Sequence, residues 1–239
     1  MEAILNGFKI KDFENFKIPG GILMVSNNEL KTGTTTIGII VKDAVILAAD
    51  MQATLGHLSY DQESQKLYTI TNHTAITSAG SVADSMTLIR FLQAHAKLYE
   101  IERETLMTAK AMATYISNVL NANRYFPFEV QFILAGMVRK PELFEIMPFG
   151  GYLERNKYAT SGSGTTLALA VLDQFYKEGM SLDEGLKLAT KAIMASKKRD
   201  IFTGGRSITL MVIDSNGVRS IEDTAVTKLV EEEKLKVVN

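Results

Sequence analysis

The sequence has no cysteine, which excludes a disulfide framework, thiolate metal sites and cysteine-nucleophile chemistry, so that any nucleophile must be oxygen or nitrogen. Charge of one sign is equally lacking. Twenty-six basic residues balance 27 acidic ones to a net charge of −1, and Lys and Arg are scattered instead of gathered into a stripe, so no nucleic-acid footprint stands out. No window holds the ~18 to 20 uninterrupted apolar residues of a membrane helix; Ile37 to Val41 and Ala44 to Ala49 are strand-sized runs. The first 33 residues carry Lys9, Lys11, Asp12 and Glu14, and their best apolar run, Ile22 to Val25, is too short for a secretion signal. Only three histidines occur, His57, His73 and His95, and they stand apart from clustered carboxylates, so no metal site is expected. The glycine-rich turn Gly162, Ser163, Gly164 lacks the lysine of a phosphate-binding loop, so any ATP handling falls to a partner and no cofactor is expected.

What is present is an ordinary globular composition, 46% hydrophobic and 22% charged over 239 residues, with nothing marking a boundary in the middle. Residues 1–33 contain Pro19, Gly20, Gly21 and the polar stretch from Ser26 to Glu29, which read as an irregular, detachable leader. From Thr34 the character changes. Strand-like runs Thr34 to Val41 and Ala44 to Ala49 meet at the polar pair Lys42 and Asp43, and a further strand runs from Thr74 to Ala79. Helical spacing follows over Val82 to Glu100 and Thr105 to Leu120. Strands return at Val130 to Val138 and Leu143 to Met147, split by Lys140 and Pro141, and helices at Thr166 to Tyr176 and Leu182 to Arg199. Ile208 to Ile213 and Val218 to Ile221 flank the hairpin turn Asn216, Gly217, before a charged C-terminal segment. Helix pairs between groups of strands argue against a doubly wound sheet; the expected class is α+β, a four-layer α/β/β/α sandwich of antiparallel sheets.

The most unusual local feature is Gly33, Thr34, Thr35, Thr36, Ile37, Gly38, three threonines after a glycine where leader meets first strand. Alone it reads as a β-prone strand start behind a flexible glycine. Further features recur at separated positions: Lys42 to Ile46, Asp50, Lys66 with Leu67, Ala79 with Gly80, Ser161 to Gly164, Arg199 with Asp200, and Gly204 with Gly205. With these carriers the whole chain from Thr34 onward resembles proteasome β subunits of the archaeal type, within the N-terminal nucleophile hydrolase superfamily.

That resemblance implies a threonine-type endopeptidase made as a zymogen: residues 1–33 are a propeptide removed by autocleavage between Gly33 and Thr34, and 34–239 form the catalytic domain. Met24 offers an alternative start that would leave a ten-residue leader. A threonine hydroxyl is a poor nucleophile at neutral pH, and the α-amine freed by the cut, with a reference pKa of ~7.7 to 8, can take its proton. The resemblance makes Lys66 the positive charge beside the Thr34 hydroxyl, Asp50 its counter-charge, and the Gly80 backbone N–H the oxyanion donor. Ser163, Asp200 and Thr203 become the groups ordering the α-amine and an attacking water. Thr203 stands where family members commonly carry serine, and Gln65 where another basic residue is frequent. Ala53, Ser64, Tyr68, Ser78, Val82 and Met86 align with the specificity pocket; none is charged, which implies cleavage after uncharged residues. Bland readings exist for each: Lys66 as a solvated loop residue, Gly80 as a turn, Ser163 as a helix cap.

Implied partners are proteasome α subunits and other β subunits in stacked seven-membered rings, a regulatory ring ATPase and unfolded polypeptides in the cytoplasm, without nucleic acid or membrane. Two other readings compete. One is a non-catalytic or conditionally processed ring subunit; non-catalytic ones typically lose the Gly–Thr junction or the lysine, both present here, whereas some family members stay uncleaved until partnered. The simpler bacterial peptidase of the same superfamily shares a segment like Gln52 to Gly56 but is shorter and lacks the Arg199–Asp200 pattern. An α-type subunit is excluded because the N-terminal extension lacks that family's gating motif.

Overall fold

A computed structural model of the chain describes residues 33–238; of the expected leader over 1–33, residues 1–32, with the alternative start, lie outside the described residues. Strands β1 (Thr36–Val41), β2 (Ala44–Asp50), β3 (Ala53–Leu55), β4 (Leu58–Asp61), β5 (Leu67–Thr71), β6 (Thr74–Thr77) and β7 (Ala79–Gly80) precede helices α1 (Val82–Arg103) and α2 (Ala109–Ala122). Strands β8 (Val130–Met137), β9 (Pro141–Met147), β10 (Gly151–Glu154) and β11 (Tyr158–Ser161) lead to α3 (Thr165–Phe175) and α4 (Leu182–Arg199). A last hairpin, β12 (Ile208–Asp214) and β13 (Gly217–Ser220), ends in α5 (Asp223–Val238). Every strand pair is antiparallel. One sheet runs β11-β1-β2-β12-β13 and a second β10-β9-β8-β6-β5 with β7 added on β8, while β3 and β4 form a separate hairpin.

The unbroken apolar run of β2 is explained by its neighbours on both faces. Ile46 and Ala48 join Ile37 and Ile39 of β1 in a cluster with Leu172 of α3, Leu188 and Ile193 of α4 and Val226 of α5. Val45, Leu47 and Ala49, pointing the other way along the pleat, meet Ile133 and Ala135 of β8 and Leu143 of β9. A third cluster joins Phe132, Leu134 and Phe144 of the second sheet to Leu88 and Leu92 of α1 and Met112 and Ile116 of α2. Burying each large aliphatic or aromatic side chain contributes about 1.5–3 kcal/mol, so these clusters dominate stability.

Several boundaries differ from the sequence expectation for local reasons. Helix α2 begins at Ala109, not Thr105, because the Thr108 hydroxyl accepts the Ala111 N–H (3.2 Å) and caps it there. Pro141 starts β9 instead of terminating a turn, at a first strand position where its missing N–H costs least. The strand expected over Thr74 to Ala79 breaks at Ser78, whose N–H donates to the Lys66 carbonyl (2.9 Å). The charged C-terminal segment forms α5, because Val226 and Leu229 recur at helical spacing and pack into the first cluster. The short strands β3, β4, β5, β10 and β11 carry no marked alternation in sequence and are additions to the expected set.

Leu47 is fully buried between the sheets, whereas Leu58 is 61% exposed. Leu47→Ala is expected to cost about 2–5 kcal/mol and Leu58→Ala no more than about 0.5, read as the shift in urea midpoint of the isolated subunit.

Candidate active site

The three consecutive threonines are driven into different surroundings by the start of β1. Thr36, fully buried, pairs its hydroxyl with Ser161 Oγ of β11 (2.9 Å) and accepts from Thr77 Oγ1 of β6 (3.1 Å), which itself accepts the Ile133 N–H (3.0 Å). Thr35, also fully buried, pairs its hydroxyl with Thr203 Oγ1 (2.7 Å) and donates its N–H to Asp50 Oδ1 (2.9 Å). Their hydroxyls are thus spent on structure. Thr34 instead turns its hydroxyl back along the chain, donating to the Gly33 carbonyl oxygen at 2.6 Å.

At the end of β2, Asp50 is fully buried and each carboxylate oxygen is occupied. Oδ1 also accepts from Lys66 Nζ (2.7 Å), and Oδ2 accepts the N–H groups of Gln52 (3.2 Å) and Gly204 (2.9 Å). Four donors on one carboxylate meet the requirement that a buried charge be paired and hydrogen-bonded. Lys66, at the entry to β5 and 5% exposed, also donates to the Gln52 carbonyl (2.6 Å). Burial pushes its ammonium below the ordinary 10.5, opposed by the charge and hydrogen bond of Asp50 and by the charge of Asp200.

A second polar group converges on the backbone nitrogen of Thr34. That N–H donates to Ser163 Oγ (3.2 Å), and Ser163 donates to Asp200 Oδ2 (2.6 Å). Thr203 Oγ1 donates to the same carboxylate oxygen, and Asp200 Oδ1 accepts the Phe202 N–H (3.2 Å). Asp200 sits at the C-cap of α4 and Ser163 in the turn before α3, so two helix ends present one acceptor chain to Thr34. Ser163 makes no side-chain cap on α3; its hydroxyl is committed to Asp200 and Thr34.

Around Thr34 opens a cleft lined by Gly33, Ala53, Thr54, Ser64, Gln65, Lys66, Tyr68, Ser78, Gly80 and Val82. Five of the six residues aligned with a specificity pocket are among them; Met86, one turn into α1, is not. Lys66 is the single charged residue of this lining among the described residues. Gly80 has φ +108°, and a β-carbon there would overlap the Glu129 carbonyl, so only glycine lets β7 pass the cleft in this conformation.

Residues 30–213 match the family described as Proteasome subunit. The chain is 44% identical over 191 residues to proteasome subunit beta 1 of Pyrococcus furiosus, covering 80% of this chain and 97% of the relative. It is 45% identical over 188 residues to proteasome subunit beta 2 of Thermococcus onnurineus (79% and 94%), and 41% identical over 206 residues to proteasome subunit beta of Methanocaldococcus fervens (85% and 92%). The chain belongs to the proteasome subunit family. Within it, the chain is a β subunit of the archaeal type.

In this β subunit the sequence reading overlooked Thr36, Thr77 and Ser161, whose hydroxyls bridge the two sheets behind Thr34, and Thr54, whose hydroxyl accepts the Gly33 N–H (2.9 Å). Threonines and serines on strands carry no signal beyond β propensity; only pairing register reveals that they meet. Asp50→Ala leaves the Lys66 ammonium buried without its counter-charge and is expected to cost about 3–5 kcal/mol of unfolding free energy. Adding Lys66→Met is expected to restore part of that loss, measured by a denaturant double-mutant cycle.

Proposed function

We propose that this proteasome β subunit is a catalytic subunit of the 20S core, a threonine endopeptidase whose nucleophile is Thr34 after autocleavage between Gly33 and Thr34. The observation that carries this reading is that Thr34 and Lys66 line one cleft beside the Gly33–Thr34 bond, with Lys66 ion-paired to Asp50 buried behind it. In the uncut chain the Thr34 hydroxyl already contacts the Gly33 carbonyl. Attack by Thr34 Oγ1 on the Gly33 carbonyl carbon forms an ester as the Gly33–Thr34 C–N bond breaks. Water then hydrolyses the ester, leaving a Gly33 carboxylate and a free Thr34 amine.

The same groups serve peptide cleavage in the mature chain. The neutral amine takes the hydroxyl proton as Oγ1 attacks a substrate carbonyl, while the Lys66 ammonium lowers the cost of negative charge on that oxygen. The Gly80 N–H is the proposed donor to the oxyanion of the tetrahedral intermediate. Collapse expels the leaving amine with the proton, and water releases the acyl group. Ser163, Asp200 and Thr203 hold the amine in place; the Thr34 N–H to Ser163 contact supports this because the nitrogen that becomes the base is already oriented before the cut. Ala53, Ser64, Tyr68, Ser78 and Val82 shape the specificity pocket.

The reading extends to the assembly: α and β subunits in stacked seven-membered rings, a ring ATPase delivering unfolded chains, and a cytoplasmic setting. It also takes the fold as a four-layer α/β/β/α sandwich, supported by one apolar cluster joining the two sheets and one joining each sheet to helices.

Assembled with its α partner, wild type is expected to begin at Thr34 by intact mass, while Thr34→Ala keeps its leader and hydrolyses no peptide. A wild type that keeps Gly33 after assembly would mark a structural subunit instead. The pH profile of kcat/KM is expected to be bell-shaped: activity rises as the amine loses its proton near its reference ~7.7 to 8, and falls as Lys66 loses its own below 10.5. A flat alkaline limb up to that value would count against a charged Lys66. On a fluorogenic peptide panel, uncharged residues before the cut are expected to be preferred over acidic ones, since among the described residues no cation other than Lys66 lines the cleft.

A further inference from the structure

Autocleavage asks more of the leader junction than peptide cleavage asks of a substrate. Nucleophile and scissile carbonyl belong to adjacent residues, so neither can approach the other by translation; only rotation about the backbone of Gly33 and Thr34 brings them into line. A glycine has the widest choice of φ and ψ, and the cost of restricting it must be met by contacts at the junction.

Two contacts do this. The Gly33 N–H donates to Thr54 Oγ1 on β3 at 2.9 Å, a buried bond between residues 21 apart in sequence. On its other side Gly33 lies against Phe202, where any β-carbon would overlap the Phe202 side chain. Phe202 is itself tied by its N–H to Asp200, the carboxylate that also holds Ser163. With its amide nitrogen tied to β3 and one face closed by Phe202, Gly33 has its carbonyl turned to the Thr34 hydroxyl at 2.6 Å.

We propose that Thr54 is a positioning residue for self-cleavage: its hydroxyl fixes the amide of Gly33 and so aims the Gly33 carbonyl at Thr34 Oγ1, with Phe202 excluding any side chain from the residue that is cut. This rests on the self-cleavage reading above. Thr54 touches no reacting atom; it acts through the backbone of Gly33, at the amide one residue before the bond that breaks. Because β3 belongs to the separate hairpin with β4, outside both main sheets, the placement of that hairpin sets the aim.

The test uses the full chain assembled with its α partner and follows leader loss by intact mass over time. Thr54→Val keeps shape and removes the acceptor; Thr54→Ser keeps the hydroxyl. Losing the buried Gly33–Thr54 hydrogen bond, ~1–2 kcal/mol in the aligned junction, is expected to slow processing about five- to thirtyfold in the valine variant. The serine variant is expected to process at close to the wild-type rate and to unfold at the wild-type temperature, and the valine variant to unfold no more than about 2–8 °C lower. Thr54→Ala repeats the comparison if valine disturbs the hairpin. Equal processing by wild type, valine and serine chains overturns the positioning role while leaving self-cleavage intact, and so does equal slowing by valine and serine. A wild type that never loses its leader overturns both.

Discussion

A lysine ammonium kept almost wholly from water has to be compensated at every one of its contacts, and the architecture around Thr34 is arranged about that requirement. Lys66 finds a carboxylate and a carbonyl within 2.7 Å, and the carboxylate is in turn saturated by three backbone N–H groups from Thr35, Gln52 and Gly204. These donors come from the segment before β1, the turn after β2 and the loop before β12. The pair can therefore exist only when the first sheet has closed and β5 of the second sheet stands beside it. Buried ion pairs seldom add net stability over apolar packing. Here the pair stands at the cleft that Thr34 lines, where the proposed chemistry would use a positive charge.

The packing explains why the arrangement is rigid. Val45, Leu47 and Ala49 of β2 are locked between the sheets, and the alternate residues of the same strand are locked under α4. Asp50 is the last residue of that strand, so its position follows from core packing on both faces. Asp200 at the end of α4 and Ser163 before α3 inherit their positions from the helices packed on the first sheet. Sheet and helix layers thus deliver two polar groups to one residue, Lys66 in the cleft that Thr34 lines and Ser163 on its backbone nitrogen.

Much of this was legible in the sequence, and the parts that were not share a cause. The central strands and α4 could be read because continuous apolar runs and helical spacing leave strong local patterns. The junction Gly33–Thr34 and the polar residues Asp50, Lys66, Ser163 and Asp200 came from a resemblance spread along the chain, and the fold brings them to one cleft and its flank. Met86, in the second turn of α1, is the one aligned pocket residue outside the cleft lining, a matter of helical phase that sequence spacing does not fix. The hydroxyl bridge Thr77–Thr36–Ser161 and the Thr54 contact join residues far apart in sequence through strand register. No periodicity or spacing announces such contacts.

The central claim is that Thr34 attacks. Its most direct test is to label the assembled subunit with a peptide bearing an electrophilic carbonyl and locate the adduct by peptide mapping. The account predicts a single adduct on the fragment that begins at Thr34, absent from the Thr34→Ala chain. An adduct on any other residue, or on Thr34 of a chain that still carries Gly33, would contradict it.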